Sequence, residues 1–310
     1  MRSRRGTTPI GAVLIPTTIR SSPKPLTSGR GKRDRLKLHR RMTTLARESD
    51  SGMSSDPNEP RISLVIPAWN EAAYLPRLLD TVEAARGRYR HGPNHIEVIV
   101  ADNDSTDETP RIAAARGCSV KHVSKRLIAA ARNGGAGAAR GEIVAFADAD
   151  FRLHPETFNY IDAVMQHPGY VGGATGITME RWSLGIAATW FMIMPPLWLM
   201  GIDGGVWFCR RSDFQGIGGY SETVPMGEDV EFLRRLKRLG SSRRPKQKLA
   251  TRFTAKKIGI PPAMVLNSSR KWDKHGDWHM FSDVGRGAFY LLFARHRLKE
   301  YAQRYWYEDR

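Results

Sequence analysis

Cysteine is scarce in this sequence, with only Cys118 and Cys209 among 310 residues. Both sit in strand-like apolar surroundings, and their spacing matches no zinc signature. A disulfide framework and a zinc site are therefore excluded, and the pair is expected as reduced core thiols of a cytoplasmic protein. Long apolar runs are also lacking. The richest, 190–200, is shorter than the roughly 20 residues of a membrane span, and Pro195 and Pro196 would leave backbone groups unpaired in lipid. A buried or interfacial helix over 183–202 is expected instead. No export signal is expected either: Arg4 and Arg5 precede an apolar patch at 9–16, but prolines break it and no Ala-x-Ala site follows. Finally, acid is short against base, 31 residues against 49.

The resulting net charge of +18 is shared between the first 60 residues and the rest, so anionic partners are expected. A nucleotide sugar, a lipid phosphate and a polynucleotide all satisfy that expectation, and charge alone does not choose among them. Residues 1–60 mix Arg, Ser, Thr, Pro and Gly without periodicity, the composition of a disordered basic tail. Its cluster of Lys32, Arg33, Arg35, Lys37, Arg40 and Arg41 is read first as a solvated run of charge, with a peripheral contact to anionic membrane or to nucleic acid as the alternatives. Met42 and Met53 both precede the first strand, so either is a candidate start if the gene start is over-extended. The whole chain is 41% apolar, enough for one sizeable domain over 61–300, followed by a short tail at 301–310.

From Arg61 onward, short β-branched runs alternate with helical patterns, which predicts a parallel sheet covered by helices. Strands are expected at 62–66, 96–101, 120–123 and 143–147. Between them come a helix with Leu75, Leu78, Leu79 and Val82 on one face, a second from about 107, and an Ala-rich third over 128–139. Residues 61–150 form one half, with ligands expected at the carboxyl ends of its strands. Residues 151–300 form a less regular second half with a strand at 206–210, a helix over 229–239 closed by Gly240, and a last helix over 281–299.

Four polar clusters fall at predicted strand or helix ends. Asn70 and Glu71 follow the first strand, where an N-cap role is the better explanation if they are taken alone. Asp102, Asp104 and Asp107 follow the second, three carboxylates in six residues that need donors or a cation nearby. Asp148 and Asp150 end the fourth strand; two apart in an extended segment, they face one side and can share a divalent cation. Glu228 and Asp229 open the helix at 229, where the helix dipole favours acids in any case.

In this order the segments "SLVIPAWNE", "VIVADNDSTDET", "AARNGGAGAARGEIVAFADAD" and "GVWFCRRSDFQGIGGYSETVPMGEDVEFLRRL" resemble family 2 glycosyltransferases of the GT-A fold, over about 61–240. The resemblance implies a Rossmann-like, mostly parallel α/β sheet flanked by helices, with 61–150 as the nucleotide-sugar half and 151–300 as the acceptor side. It implies that Pro67, Ala68, Asn70 and Glu71 line the nucleoside pocket, with Asp102 on the base and Asp104 in the same donor set. Arg132, Asn133, Asp148, Gly204 and Gly205 would complete that set. Asp150 with Asp148 would hold Mg²⁺ or Mn²⁺, with His275 as a further metal-side candidate. Asp229 would be the catalytic base, and Glu228, Arg270 and Trp272 would face the acceptor or diphosphate. Family grounds put UDP ahead of GDP.

The chemistry asks for these residue types. A cation stabilises the departing diphosphate, a carboxylate on the opposite face takes the acceptor proton, and one displacement inverts the anomeric centre. A glycan, lipid-linked or small-molecule acceptor is expected, on the cytoplasmic side and peripheral to the inner face of the membrane. Ser268 and Ser269 precede Arg270-Lys271-Trp272, so the Gln-x-x-Arg-Trp element of processive synthases is absent. A nucleotidyltransferase would carry a glycine-rich loop after the first strand, where this chain has Pro-Ala-Trp-Asn-Glu. A nucleic-acid-binding protein has no use for carboxylates at four such positions, so no specific nucleic acid is expected. The basic run 243–257 has no role in this reading.

Overall fold

The computed structural model describes residues 59–224 and 227–280. Strand β1 (Ile62–Ala68) is buried along its whole length, as a central strand covered on both faces must be. It pairs in parallel with β2 (Ile96–Asp102) and β4 (Ile143–Phe146), and β3 (Ser119–His122) extends the sheet beyond β2. That last strand is exposed throughout, with Lys121 and His122 on it, a polar edge that discourages further pairing. Helices α1 (Leu75–Gly87), α2 (Thr109–Ala115) and α3 (Ile128–Ala138) make the crossovers. The period of two divides the core cleanly: Ile62, Leu64 and Ile66 join one apolar layer, and Val65 joins the other.

The second half adds α4 (Thr157–Gln166), β6 (Tyr170–Ala174), β8 (Trp207–Arg210) and β9 (Lys248–Ala250), giving a seven-stranded sheet in the order β3-β2-β1-β4-β8-β6-β9. Strand β8 runs antiparallel to both β4 and β6, so the sheet is parallel apart from this one strand. A smaller sheet of β5 (Phe151–Arg152), β10 (Val265–Asn267) and β7 (Ile177–Met179) closes one end. The remaining helices are α5 (Leu184–Leu199), α6 (Arg211–Gly216), α7 (Glu228–Ser242), α8 (Arg252–Lys257) and α9 (Arg270–His275).

Two boundaries differ from expectation for identifiable reasons. Helix α2 starts at Thr109 rather than near 107, because the Asp107 carboxylate accepts from the backbone N–H of Thr109 at 2.9 Å and of Ala72 at 3.1 Å. It is spent on the turn. Helix α7 runs through Gly240 to Ser242. Gly240 is a close-packing position rather than a stop: a Cβ there would lie 2.8 Å from the Gln247 carbonyl and 2.8 Å from a Val171 methyl. Within the basic run, Arg243 pairs with Asp213 and Gln247, and Arg252 is buried against Asp203. Residues 1–58 of the tail expected over 1–60, the helix expected over 281–299 and the tail expected over 301–310 lie outside the described residues.

Helix propensity alone would make Gly240→Ala stabilising by about 1 kcal/mol. The backbone carbonyl of Gln247 cannot yield as a side-chain tip would, so we expect a net loss of about 1–3 kcal/mol in urea unfolding. A gain in stability would contradict this packing.

Candidate active site

The parallel strands β1, β2 and β4 deliver their carboxyl ends to one edge of the sheet, and the loops beyond them interlock. Asn70 donates its backbone N–H to Ser105 Oγ at 3.0 Å, and its side-chain oxygen accepts from the Thr106 N–H at 2.9 Å. The Glu71 N–H donates to Thr109 Oγ1 at 2.8 Å. Asn70 and Asp104 both sit at positive φ, 50° and 66°, a region that Asn and Asp tolerate better than other side chains. The crowded acids of the second loop are thereby provided with donors. Asp102 accepts from the Ser105 N–H at 3.2 Å and lies 3.3 Å from His122 Nδ1, while Asp104 pairs with Arg126, whose guanidinium sits over the Trp69 ring.

The centre of the edge is Arg132, on the first turns of α3 and only 1% exposed. It donates to Glu228 Oε1 at 2.8 Å and Asp148 Oδ1 at 3.0 Å, and lies 3.7 Å from Asp229 Oδ1. Its guanidinium is flanked by the rings of Tyr220 and Trp207, at 5.1 and 5.4 Å. Three carboxylates from two distant segments thus share one cation. Asn133 serves this arrangement indirectly. Its amide is taken by the Tyr220 N–H and C=O and by Glu222, which pins Tyr220 over Arg132.

A second arginine organises the other side. Arg270, at the start of α9, forks onto Glu71 with contacts of 2.6 and 2.9 Å, reaches Asp150 Oδ2 at 3.1 Å, and packs on the Tyr74 ring. Glu71 is fully buried by this pairing. Asp148 and Asp150 do not share an extended segment: β4 ends at Phe146, and the Asp148 carbonyl accepts from the Phe151 N–H at 3.1 Å. They leave the sheet in a turn, and different arginines hold them. Trp272 lies on the same short helix, and its indole N–H is buried without a partner among the described residues. The His275 ring lies 5.4 Å from that of His279. Among the described residues no three His, Cys, Asp or Glu side chains cluster as a ready metal cage, so His275 is not gathered with Asp148 and Asp150.

Gly204 and Gly205 precede β8. Gly205 is at φ 97°, and a Cβ there would lie 2.4 Å from the Gly176 carbonyl, so its smallness is required by the adjoining backbone. Just before them stands Asp203, which sequence reasoning missed. It is fully buried, accepts from Trp198 Nε1 at 3.2 Å, and pairs with Arg252 at 2.7 Å. A signal was present: Asp203 is the first charged residue after Arg181, and an isolated buried acid needs a partner.

Burial pushes the Asp229 carboxyl up to about 8, helped by the charges of Glu228 and Asp148 and opposed by Arg132. Arg132 itself loses to burial but is held above its ordinary value by the carboxylates around it. The cluster is acid-rich, with one guanidinium facing three carboxyl groups, and it keeps a proton where an isolated aspartate would have lost it.

A family model described as Glycosyl transferase family 2 matches residues 63–200. Among curated proteins, the chain is 33% identical over 112 residues to validoxylamine A glucosyltransferase of Streptomyces hygroscopicus subsp. limoneus, covering 34% of this chain and 23% of that protein. It is 26% identical over 208 residues to pre-mycofactocin glycosyltransferase of Mycobacterium tuberculosis, covering 60% of this chain and 41% of the relative. The chain thus spans less than half the length of either. Among solved structures, it is similar to mannosyltransferase PcManGT from Pyrobaculum calidifontis, with 19% identity and a TM-score of 0.49 over 70% of this chain and 59% of that one.

Two outcomes follow from the geometry. The native Asp229 carboxyl holds its proton to higher pH than an unfolded one, so the stability it contributes is present below about pH 4 and is lost as pH rises toward 8. In EDTA, the urea stability of Asp229→Asn relative to wild type should therefore rise between pH 4 and 8, by on the order of a few kcal/mol; a flat difference would contradict the cluster. Arg252→Met strands the Asp203 carboxylate, and a loss of about 3–5 kcal/mol is expected; a loss under about 1 kcal/mol would show the pair to be solvated.

Proposed function

The chain belongs to glycosyl transferase family 2 through residues 63–200, and from that premise we propose that it moves a sugar from a nucleoside-diphosphate donor to an acceptor hydroxyl with inversion. The observation that carries the reading is the gathering of Asp148, Glu228 and Asp229 around Arg132 at the carboxyl edge of the sheet. Curated relatives named as glycosyltransferases support it. A nucleotidyltransferase is disfavoured by the first loop, which is zipped through Asn70 and Glu71 rather than built as a glycine-rich cradle. Free Cys118 and Cys209 suit a reducing, cytoplasmic setting.

In this proposal the interlocked loops after β1 and β2 hold the nucleoside, with Asp102 directed to the base and UDP ahead of GDP. Arg270 offers the planar fork that suits diphosphate oxygens, and it already stands between Glu71 and Asp150. Asp148 and Asp150 fit a hard divalent cation, Mg²⁺ or Mn²⁺, since such an ion needs only one or two protein carboxylates when phosphate and water supply its other ligands. When bound, that cation would stabilise charge on the leaving diphosphate. Asp229 takes the acceptor proton. Its carboxyl is 26% exposed, open enough for an alcohol to approach, while Arg132 and Glu228 fix its position. Because a protonated Asp229 cannot act as base, transfer rises with pH on its acidic side.

Thermal shift with a panel of nucleoside-diphosphate sugars and Mn²⁺ tests donor use. At least one donor should stabilise wild type in a metal-dependent way, and Asp150→Ala should lose that response. No donor response at all would reject the reading. Asp229→Asn should keep the donor response while turnover falls by about 10²–10⁴-fold; the reverse pattern would remove Asp229 from the base role.

A further inference from the structure

Helix α5 is the most apolar element of the described chain, and its packing leaves five of its 16 positions exposed. It carries no charged residue over its 16 positions. Ile186, Thr189 and Met194 are buried, while Leu184 is 84% exposed, Phe191 67% and Leu199 90%. At 100° per residue, positions 184, 191, 192 and 199 fall within one stripe, opposite the buried arc. A helix on a water-facing surface would carry polar residues there. Pro195 and Pro196 lie inside the helix, so the carbonyls of Phe191 and Met192 lack their i+4 donors on the exposed side and need water or headgroups nearby. No helix among the described residues is long and apolar enough to cross a membrane.

The stripe continues onto α8. The Phe253 ring lies 5.0 Å from that of Trp198 and is itself exposed. Lys256 and Lys257, three and four residues further on, share the face of Phe253 and are exposed. An apolar stripe bordered by lysines complements an anionic bilayer surface, where rings and aliphatic chains enter the headgroup boundary and ammonium groups meet lipid phosphates. The net charge of +18 adds attraction of the same sign.

The stripe is also mechanically joined to the site. Asp203 fixes Trp198 at the end of α5 and Arg252 at the start of α8, and its backbone carbonyl accepts from Trp207 Nε1 at 3.1 Å. The Trp207 ring in turn lies beneath Arg132. We propose that the α5–α8 face docks on an anionic membrane surface and that the acceptor hydroxyl belongs to a lipid-anchored molecule at that interface. The acceptor assignment rests on the glycosyl-transfer reading above; the docking does not.

The test is co-sedimentation of the full chain with phosphatidylcholine vesicles, with and without phosphatidylglycerol. Wild type should pellet with the phosphatidylglycerol vesicles. The Phe191→Glu/Leu199→Glu double variant, altered only at exposed positions, should bind them at least about tenfold more weakly. Lys256→Glu/Lys257→Glu should lose the preference for anionic lipid. Wild type remaining in the supernatant would overturn the proposal, as would a double variant that pellets like wild type. So would a lipid-free dimer that Phe191→Glu/Leu199→Glu dissolves, since a second copy would then cover the face. Donor-induced thermal stabilisation, measured on the same preparations, separates the two ideas: its absence in wild type counts against glycosyl transfer, while its persistence in variants that no longer bind vesicles shows them folded and isolates the docking defect.

Discussion

A guanidinium buried among three carboxylates is the constraint around which this protein is arranged. Taking Arg132 out of water costs several kcal/mol, and that cost is offset only if its donors are matched and its charge answered. Asp148 and Glu228 answer its two terminal nitrogens and two aromatic faces flank it, while Nε is buried without a partner among the described residues. Three stretches of chain must therefore arrive together: the first turns of α3, the turn after β4 and the start of α7. None of them touches another through sequence proximity. Burial first, and then the excess of acid left in the cluster, make the Asp229 carboxyl keep a proton near neutral pH. Structure and reactivity share one cause here.

Two further buried pairs repeat the device at the margins. Arg270 ties the C-terminal side of the described chain to Glu71 and Asp150, and Arg252 ties the end of α5 to the start of α8 through Asp203. Buried ion pairs of this kind are weak sources of net stability, because desolvation consumes much of the attraction. Their use is geometric: each forbids any packing that would leave one partner alone. A sheet edge carrying several acids would otherwise repel itself open, and arginines hold it in register while the side chains of Asp148, Asp150 and Asp229 stay partly exposed. Two of the seven basic residues in the run 243–257 are explained this way, since Arg243 and Arg252 face Asp213 and Asp203.

The first half of the fold was legible because its strands are continuous apolar runs bounded by polar turns. Ile62–Ala68, Ile96–Asp102 and Ile143–Phe146 follow that pattern closely. Asp102, Asp148 and Asp150 were legible for the same reason, falling where such runs stop, while Glu228 and Asp229 were marked by the start of an amphipathic helix. Strands β5, β7, β9 and β10 are two or three residues long, too short to display a period. What two separated residues share cannot be seen in spacing either, which is why the Arg132 cluster and the Asp203–Arg252 pair emerged only in three dimensions. Asp148 and Asp150 show the converse: an extended reading of two alternating residues failed because the strand had already ended. Gly240 looked like a stop and proved to be a contact.

The central claim is that one guanidinium is shared by more carboxylates than it can neutralise. Carbon-13 NMR of the side-chain carboxyl groups, recorded on the metal-free protein through a pH titration, reads this directly. One carboxyl at the start of α7 should titrate near 8, well separated from the rest. If every aspartate and glutamate there titrates in the ordinary range below about 5, the cluster is not assembled as described and the account fails.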